Sequence, residues 1–351
     1  MNRKPLPIAE VVYHTRHGGE IPGILGGSSI MTASVSTPAP IPSGPAPAES
    51  ADAARAEERR YRVLLVATHP VQYASPVFRQ MAEHPRLDIT VAYCSLQGAQ
   101  AGHDPEFGRS VQWDVPLLDG YRWVQVPNRS LRPGIGRFFG LINPGLWQLI
   151  RKTRFDAVVL YTGYRCTSFW IAMTAAKVSG AAVLFGTDAH ELRPRDAQSW
   201  KPSLKAWLWP RLFRLADVVI VPSSGGVALM RSLGLPEERV TLTPYTVDNE
   251  WWSTQAARAD RAATRREWQI PPDAAVALFC AKLQPWKRPF DLLHAFARAA
   301  ASNTYLVFTG EGPLKSGLEE EARRLGLSER ARFLGFVNQS ALPAVDRKSV
   351  V

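Results

Sequence analysis

Cysteine is scarce in this sequence. The 351 residues contain three, Cys94, Cys166 and Cys280, an odd and scattered set that describes no disulfide framework. Each lies in or beside an apolar segment, so all three are expected to be reduced thiols of the core. Long apolar runs are missing as well. None approaches the ~20 residues that a membrane span needs, and residues 21–30 are broken by proline and glycine, so no signal-peptide core is present. Acidic residues are outnumbered: 31 Asp and Glu face 42 Lys and Arg, for a net charge of +11. A basic surface suits phosphorylated ligands, nucleic acid or anionic lipid without choosing among them. Paired C-x-x-C motifs, basic heptads and an RNP-type aromatic strand are all lacking, so no nucleic-acid partner is expected. The first strand–loop–helix carries no G-x-G-x-x-G, which removes the nicotinamide fingerprint. There is no Asp-x-Asp, which leaves metal-dependent single-domain sugar transfer without support.

What is present is a large apolar fraction, 46%, in a chain long enough for two domains. The first sixty residues hold six basic and six acidic groups, so the positive excess lies in the rest. Residues 1–60 read as a disordered leader. The stretch 32–56 is mostly Ala, Pro, Ser and Thr, which bury too little apolar area to offset chain entropy, and Met31 is a plausible alternative start. Residues 61–255 then alternate strands and helices. Arg62–Ala67 is a buried strand, followed by the loop Thr68-His69-Pro70-Val71-Gln72-Tyr73 and a helix over 75–82. Strands follow at 87–94, 156–161, 181–186, 217–222 and 239–243, with helices at 141–152, 168–178 and 223–233, and with 95–126 mostly loop. Residues 200–216 mix Trp, Leu and Phe with Lys201, Lys205, Arg211 and Arg214, and Pro210 interrupts or kinks them. This segment either packs into the core, the commoner outcome, or rests on an anionic membrane. A charged connection spans 256–272.

The chemistry concentrates further on. The apolar run 274–280 reads as a buried strand, the loop holds Lys282, Lys287 and Arg288, and a helix starts just after. Such loops lie at the carboxyl edge of a parallel sheet, where open α/β proteins bind ligands, and a helix start attracts anions. Two lysines there suit a diphosphate; a solvated basic loop is the plain alternative. About thirty residues on, the strand Tyr305–Thr309 ends in Gly310-Glu311-Gly312-Pro313-Leu314-Lys315. Two glycines permit close backbone approach to a ligand, and Pro313 suits a first helical turn. A third strand, Ala331–Val337, follows.

Three motifs in this order, Lys282-Leu-Gln-Pro-Trp-Lys287-Arg288-Pro289, Gly310-Glu-Gly312-Pro-Leu314 and Phe333-Leu-Gly-Phe336-Val337-Asn338-Gln339-Ser340-Ala-Leu342-Pro343, resemble the family-four retaining glycosyltransferases. The likeness runs from about Tyr61 to Val345. It implies an α/β fold of two Rossmann-like domains facing a cleft, the GT-B architecture: an acceptor domain at 61–255 and a nucleotide-sugar-binding domain at 256–345. It implies an enzyme that moves a sugar from a nucleoside-diphosphate sugar to an acceptor hydroxyl with retained configuration, in bacterial cell-surface polysaccharide or glycolipid synthesis. Lys282 and Lys287 would take the diphosphate, Gly310 and Gly312 would admit the nucleotide, and backbone at Phe336 and Val337 would touch the base. His190 would contact the transferred sugar and Asp188 orient it, although Gly186-Thr-Asp188-Ala-His190 is spaced one residue differently from the expected turn; an Asp helix cap and a surface histidine are the alternative. His69 would face the cleft, or else cap its turn. The run Phe107–Tyr121 would pack on the acceptor side, and Pro244–Trp252 would bridge the domains. No cofactor or metal is implied. The partners would be a nucleotide sugar and a glycan or lipid-linked acceptor, in a cytoplasmic protein with possible peripheral contact at the inner membrane face.

The same likeness makes the second domain look incomplete, because a nucleotide-binding half has about six strands and a later glutamate-bearing helix is expected after Val345. Residues 346–351 coincide with a translated sequencing adapter and are expected to be a non-native tail of a C-terminally truncated protein. A fragment so shortened is expected to bind donor poorly and to be inactive. Two rival readings stand beside this one: a nucleotide-sugar epimerase of the same architecture, using Asp188 or Glu191 as proton-abstracting acid residues, and a basic membrane-associated module built on 200–214.

Overall fold

The computed structural model describes residues 59–104, 107–192, 200–299 and 302–346. The leader reading for 1–58 and the tail reading for 347–351 lie outside the described residues, as do the side chains of Trp200, Lys201 and Pro202.

The first unit is built on seven parallel strands: β1 (Tyr61–Ala67), β2 (Leu87–Tyr93), β5 (Trp123–Gln125), β6 (Ala157–Leu160), β7 (Ala182–Gly186), β8 (Val218–Val221) and β9 (Val240–Leu242), in the order β5-β2-β1-β6-β7-β8-β9. Side chains alternate between the faces. Leu64, Val66, Val158 and Leu160 enter one core with Phe169, Phe185 and Phe213, while Val63, Leu65, Val159 and Leu184 enter the other with Phe78 and Tyr93. Helices cover both faces, which is why the central strands are apolar throughout rather than alternating. They are α1 (Ser75–Glu83), α2 (Gly145–Thr153), α3 (Thr167–Ser179), α4 (Trp200–Phe213) and α5 (Ser224–Ser232). The chain leaves β1 toward β2 on one side and returns to β6 on the other, so the loops after β1 and β6 flank a crevice at the carboxyl edge.

The loop expected over 95–126 contains more. An antiparallel hairpin of β3 (Gly102–Asp104) and β4 (Arg109–Val111) and the edge strand β5 all lie within it. Each has three residues, too few to carry a legible period. The connection at 256–272 is also structured. Asp248 caps α6 (Asn249–Arg258) by accepting from the Trp251 amide at 2.9 Å, and Asp260 caps α7 (Arg261–Glu267). In α4, Trp209, Leu212 and Phe213 are buried, so this helix packs into the core; Leu204 and Trp207 remain outside. Pro210 lies within α4, in its last turn, and does not end it there.

The second unit has three parallel strands in the order β10-β11-β12: β10 (Ala275–Cys280), β11 (Thr304–Thr309) and β12 (Ala331–Gly335). Helices α8 (Pro289–Ala299) and α9 (Lys315–Arg324) cover one face over Leu293, Leu306, Phe308 and Leu318. The short α10 (Leu342–Asp346) closes the other face, with Val345 against Trp268, Ile270 and Val307. One expectation is corrected here. Cys94 and Cys166 are buried, but Cys280 is exposed, because it is the last residue of the edge strand β10. No helix among the described residues is long and apolar enough to cross a membrane.

Candidate active site

The loops at the carboxyl edge of the second sheet are bonded to each other. The Ala281 amide donates to the Thr309 carbonyl at 3.2 Å, the Leu283 amide to the Glu311 carbonyl at 2.9 Å, and the Gly310 amide to the Gly335 carbonyl at 2.8 Å. The two glycines make this possible. Gly310 has φ +134°, and a Cβ there would lie 2.0 Å from the Ala281 carbonyl oxygen; at Gly312, φ +155°, it would lie 2.5 Å from that of Leu283. Their immediate reason to be glycine is thus the approach of the lysine loop. Lys315 Nζ pairs with Glu311 at 2.9 Å, and Glu311 leans against Gly335.

Lys282 leaves this platform and crosses to the first unit. Its Nζ is 3.2 Å from Asp104 Oδ2 at the end of β3 and 4.3 Å from the centroid of the Phe107 ring. Lys287, by contrast, stands on the exposed turn of 285–287 and makes no ion pair among the described residues. The structure therefore records no contact that brings the two lysines together. Phe336 meets Phe107 edge-on at 5.1 Å and Trp113 at 5.8 Å, with the Arg109 guanidinium 4.9 Å from its ring centre. Val337 packs beneath, among the side chains around Val345. Asn338 Nδ2 donates to the Gln112 carbonyl at 2.8 Å, and Asp114 accepts from the Ser340 amide at 2.9 Å and from its hydroxyl. The run expected on the acceptor side divides: Phe107 and Trp113 reach across to Phe336 of the second unit, while Leu117 is buried and Tyr121 packs edge-on against Phe78 in the first.

Opposite lies the crevice of the first sheet. His69 follows β1, its Nδ1 buried with no hydrogen-bond partner, and the buried Thr162 hydroxyl after β6 has none either. Burial pushes the His69 imidazole down to about 4, helped by Lys282 and opposed by Asp104. Tyr73 and Tyr245 meet edge-on at 6.4 Å. Burial raises both phenols, and the Asp188 carboxylate raises them further, while Lys282 acts on Tyr73 in the opposite sense. Tyr73 thus sits within electrostatic reach of both Asp188 and Lys282. His190 is exposed, with Nδ1 3.2 Å from the Asp188 carbonyl and Nε2 3.8 Å from Glu191. Its turn leans on the start of α5: a Cβ at Gly225 would touch the His190 Cβ at 3.5 Å, and the Ala189 carbonyl lies over Gly226. Residues 193–199 fall outside the described chain, so the reading of Asp188 as a helix cap does too.

This is a mouth between two α/β units, with a lysine, aromatic rings, an unpaired histidine nitrogen and an acid–tyrosine cluster facing it. Residues 43–246, more than half of the chain, match the family model of the glycosyl transferase 4-like domain. The chain belongs to that family. Residues 260–351 match the glycosyl transferases group 1 model. Among curated relatives, the D-inositol 3-phosphate glycosyltransferase 2 of Catenulispora acidiphila is 30% identical over 181 residues, 48% of this chain and 39% of that protein; the match thus spans well under half the length of that relative. Among solved structures, Anabaena HepE in complex with UDP and glucose superposes with a TM-score of 0.56 at 15% identity, over 82% of this chain and 72% of that one. The UDP-GlcNAc 2-epimerase of Neisseria meningitidis bound to UDP-GlcNAc superposes at 0.52 with 13% identity, over 82% and 75%. These likenesses establish the two-unit GT-B fold, which transferases and epimerases share.

In this glycosyl transferase 4-like protein, sequence reasoning did not single out Asp104, Tyr73 or Tyr245. Tyr73 and Tyr245 end or open motifs that were visible, His-Pro-Val-Gln-Tyr and Pro-Tyr-Thr-Val-Asp, and two aromatics bracketing one sheet edge were the available signal. Asp104 had none, since its hairpin has no period and its partner is 178 residues away.

Proposed function

We propose that the whole protein transfers a sugar from a nucleoside-diphosphate sugar to an acceptor hydroxyl with retention of configuration, in the synthesis of a cell-surface polysaccharide or glycolipid. The observation that carries this reading is the Lys282 ammonium at the carboxyl edge of β10, reaching across the mouth. Negative charge grows on the departing diphosphate in the transition state, and a cation already aimed at that place lowers the barrier more than it stabilises bound substrate. Asp104 holds the ammonium here, and a diphosphate, with more charge, would take its place. Lys287 on the outer turn would add a second cation, so the reading calls for no metal. Phe336 and Val337 would bound the base, and the Gly310 and Gly312 turns would hold the platform shape. His190 and Asp188 would meet the sugar from the first unit. The neutral His69 would accept a hydrogen bond from a substrate hydroxyl through its unpaired Nδ1.

The family match supports transfer over epimerisation, which the fold by itself does not separate. Incubation of the longest product of this gene with labelled nucleotide sugars and candidate glycan or lipid acceptors tests it. Transfer requires acceptor and releases nucleoside diphosphate; conversion of the sugar nucleotide without any acceptor would establish the epimerase instead. The anomeric configuration of the product, read by proton couplings, tests retention.

A further inference from the structure

Far from the mouth in character is a stretch in which charge has one sign. From Gly120 to Phe155 there are seven basic residues and no acidic one. Its centre, residues 128–140, is a loop closed on itself. Asn128 Nδ2 donates to the Gly140 carbonyl at 2.9 Å, and its Oδ1 accepts from the Ser130 and Ile142 amides. The Ser130 hydroxyl donates to the Phe139 carbonyl at 2.5 Å, and the Thr167 hydroxyl ties the loop to the start of α3 through the Phe138 carbonyl at 2.9 Å. Held this way, the loop turns its apolar side chains outward. Leu131 is 100% exposed and Phe139 68%, with Phe138 and Ile135 beside them. Arg129, Arg132 and Arg137 are also exposed and form no ion pair among the described residues. Exposed apolar groups at a tip, collared by arginines that form no ion pair, mark a surface that meets a partner.

We propose that loop 128–140 is a wedge that inserts Leu131 and Phe139 into the interface of an anionic lipid bilayer. The chemistry favours a bilayer over a protein. A protein partner would need an acidic patch shaped to match the tip, whereas a continuous anionic leaflet attracts every arginine around it, whichever way each points, and accepts the apolar side chains below its headgroups. Several of the loop's backbone groups are already hydrogen-bonded within the protein, which lowers the cost of leaving bulk water. A second exposed apolar feature is linked to the loop through residues 164–167. Tyr164, three residues before Thr167, accepts from Trp209 of α4 through its hydroxyl at 3.1 Å, and α4 exposes Leu204 and Trp207. Arg165, next to Tyr164 in the chain, is exposed. The wedge is the loop itself. The inference needs neither donor nor acceptor and stands apart from sugar transfer.

Co-sedimentation of the full chain with vesicles tests it. Equal parts phosphatidylglycerol and phosphatidylcholine should pull the protein down, and phosphatidylcholine alone should not. Leu131→Ser/Phe139→Ser should weaken binding roughly tenfold or more, and Arg132→Gln/Arg137→Gln roughly twenty-five-fold, since each arginine near an anionic leaflet contributes about fivefold. Trp207→Ser should change it less than either pair. All of these side chains are exposed, so unfolding temperatures should stay put. A loop pair that proves unstable is replaced by Phe139→Trp, whose added emission should be quenched by lipids brominated in the acyl chain. Absence of wild-type binding, equal binding to neutral vesicles, indifference to the loop pairs, or no quenching would each overturn the proposal.

Discussion

At the scale of single residues, two positions carry tests that do not depend on substrate. A methyl group at Gly310 would collide with the Ala281 carbonyl oxygen, and the backbone there has φ +134°. Gly310→Ala should therefore destabilise the second unit by about 3 kcal/mol, read as an earlier urea transition of that unit, with the first unit's transition unmoved. His69 gives a pH dependence. Its pKa falls from 6.5 to about 4 on folding, so the unfolded chain takes up a proton first as pH drops. The stability this burial carries is full above pH 6.5 and is lost as pH falls toward 4, by about 3 kcal/mol across the window. His69→Gln should flatten that part of the stability profile; an unchanged slope between pH 6.5 and 4 would contradict the buried, neutral imidazole. The residue scale is also where the sequence was most and least legible. Lys282 was visible because a strand, a basic loop and a helix start surround it. Its partner Asp104 was not, because nothing local marks a side chain that acts across 178 positions.

Elements were easier to place than their contacts. The long apolar strands of both units lie close to where hydrophobic runs located them, since burial on both faces leaves an unbroken apolar stretch. The three-residue strands β3, β4 and β5 escaped notice for want of any period, and with them the hairpin that carries Asp104. Segment 107–114 then joins the two units through Phe107 and Trp113 on Phe336 and through Asp114 on Ser340. Removing the polar half of this contact has a predictable result. Asp114→Ala/Asn338→Ala should raise hydrogen exchange in 109–114 at least severalfold while leaving β1 and β6 protected. Equal exchange in both proteins would mean that the aromatic contacts suffice. In α4 the balance between core and surface was resolved by position: Trp209, Leu212 and Phe213 face inward, and Trp207 does not.

For the molecule as a whole, the claim is that two α/β units meet so that a cation on the edge of one reaches the crevice of the other, and that this cation receives the diphosphate of a sugar donor. The fold follows from family membership and from the sheets themselves; the chemistry rests on Lys282. Its removal should cost far more than removal of Lys287, which stands exposed on the outer turn. A preorganised charge of this kind is worth about a hundredfold or more in rate, and Lys287→Ala should lose markedly less. The most direct measurement is a thermal-shift screen of nucleoside-diphosphate sugars against the wild type, Lys282→Ala and Lys287→Ala, on the longest product of the gene. The account predicts that at least one donor raises the wild-type unfolding temperature by several degrees, that Lys282→Ala abolishes the rise, and that Lys287→Ala reduces it. A donor that stabilises Lys282→Ala as well as the wild type would contradict it.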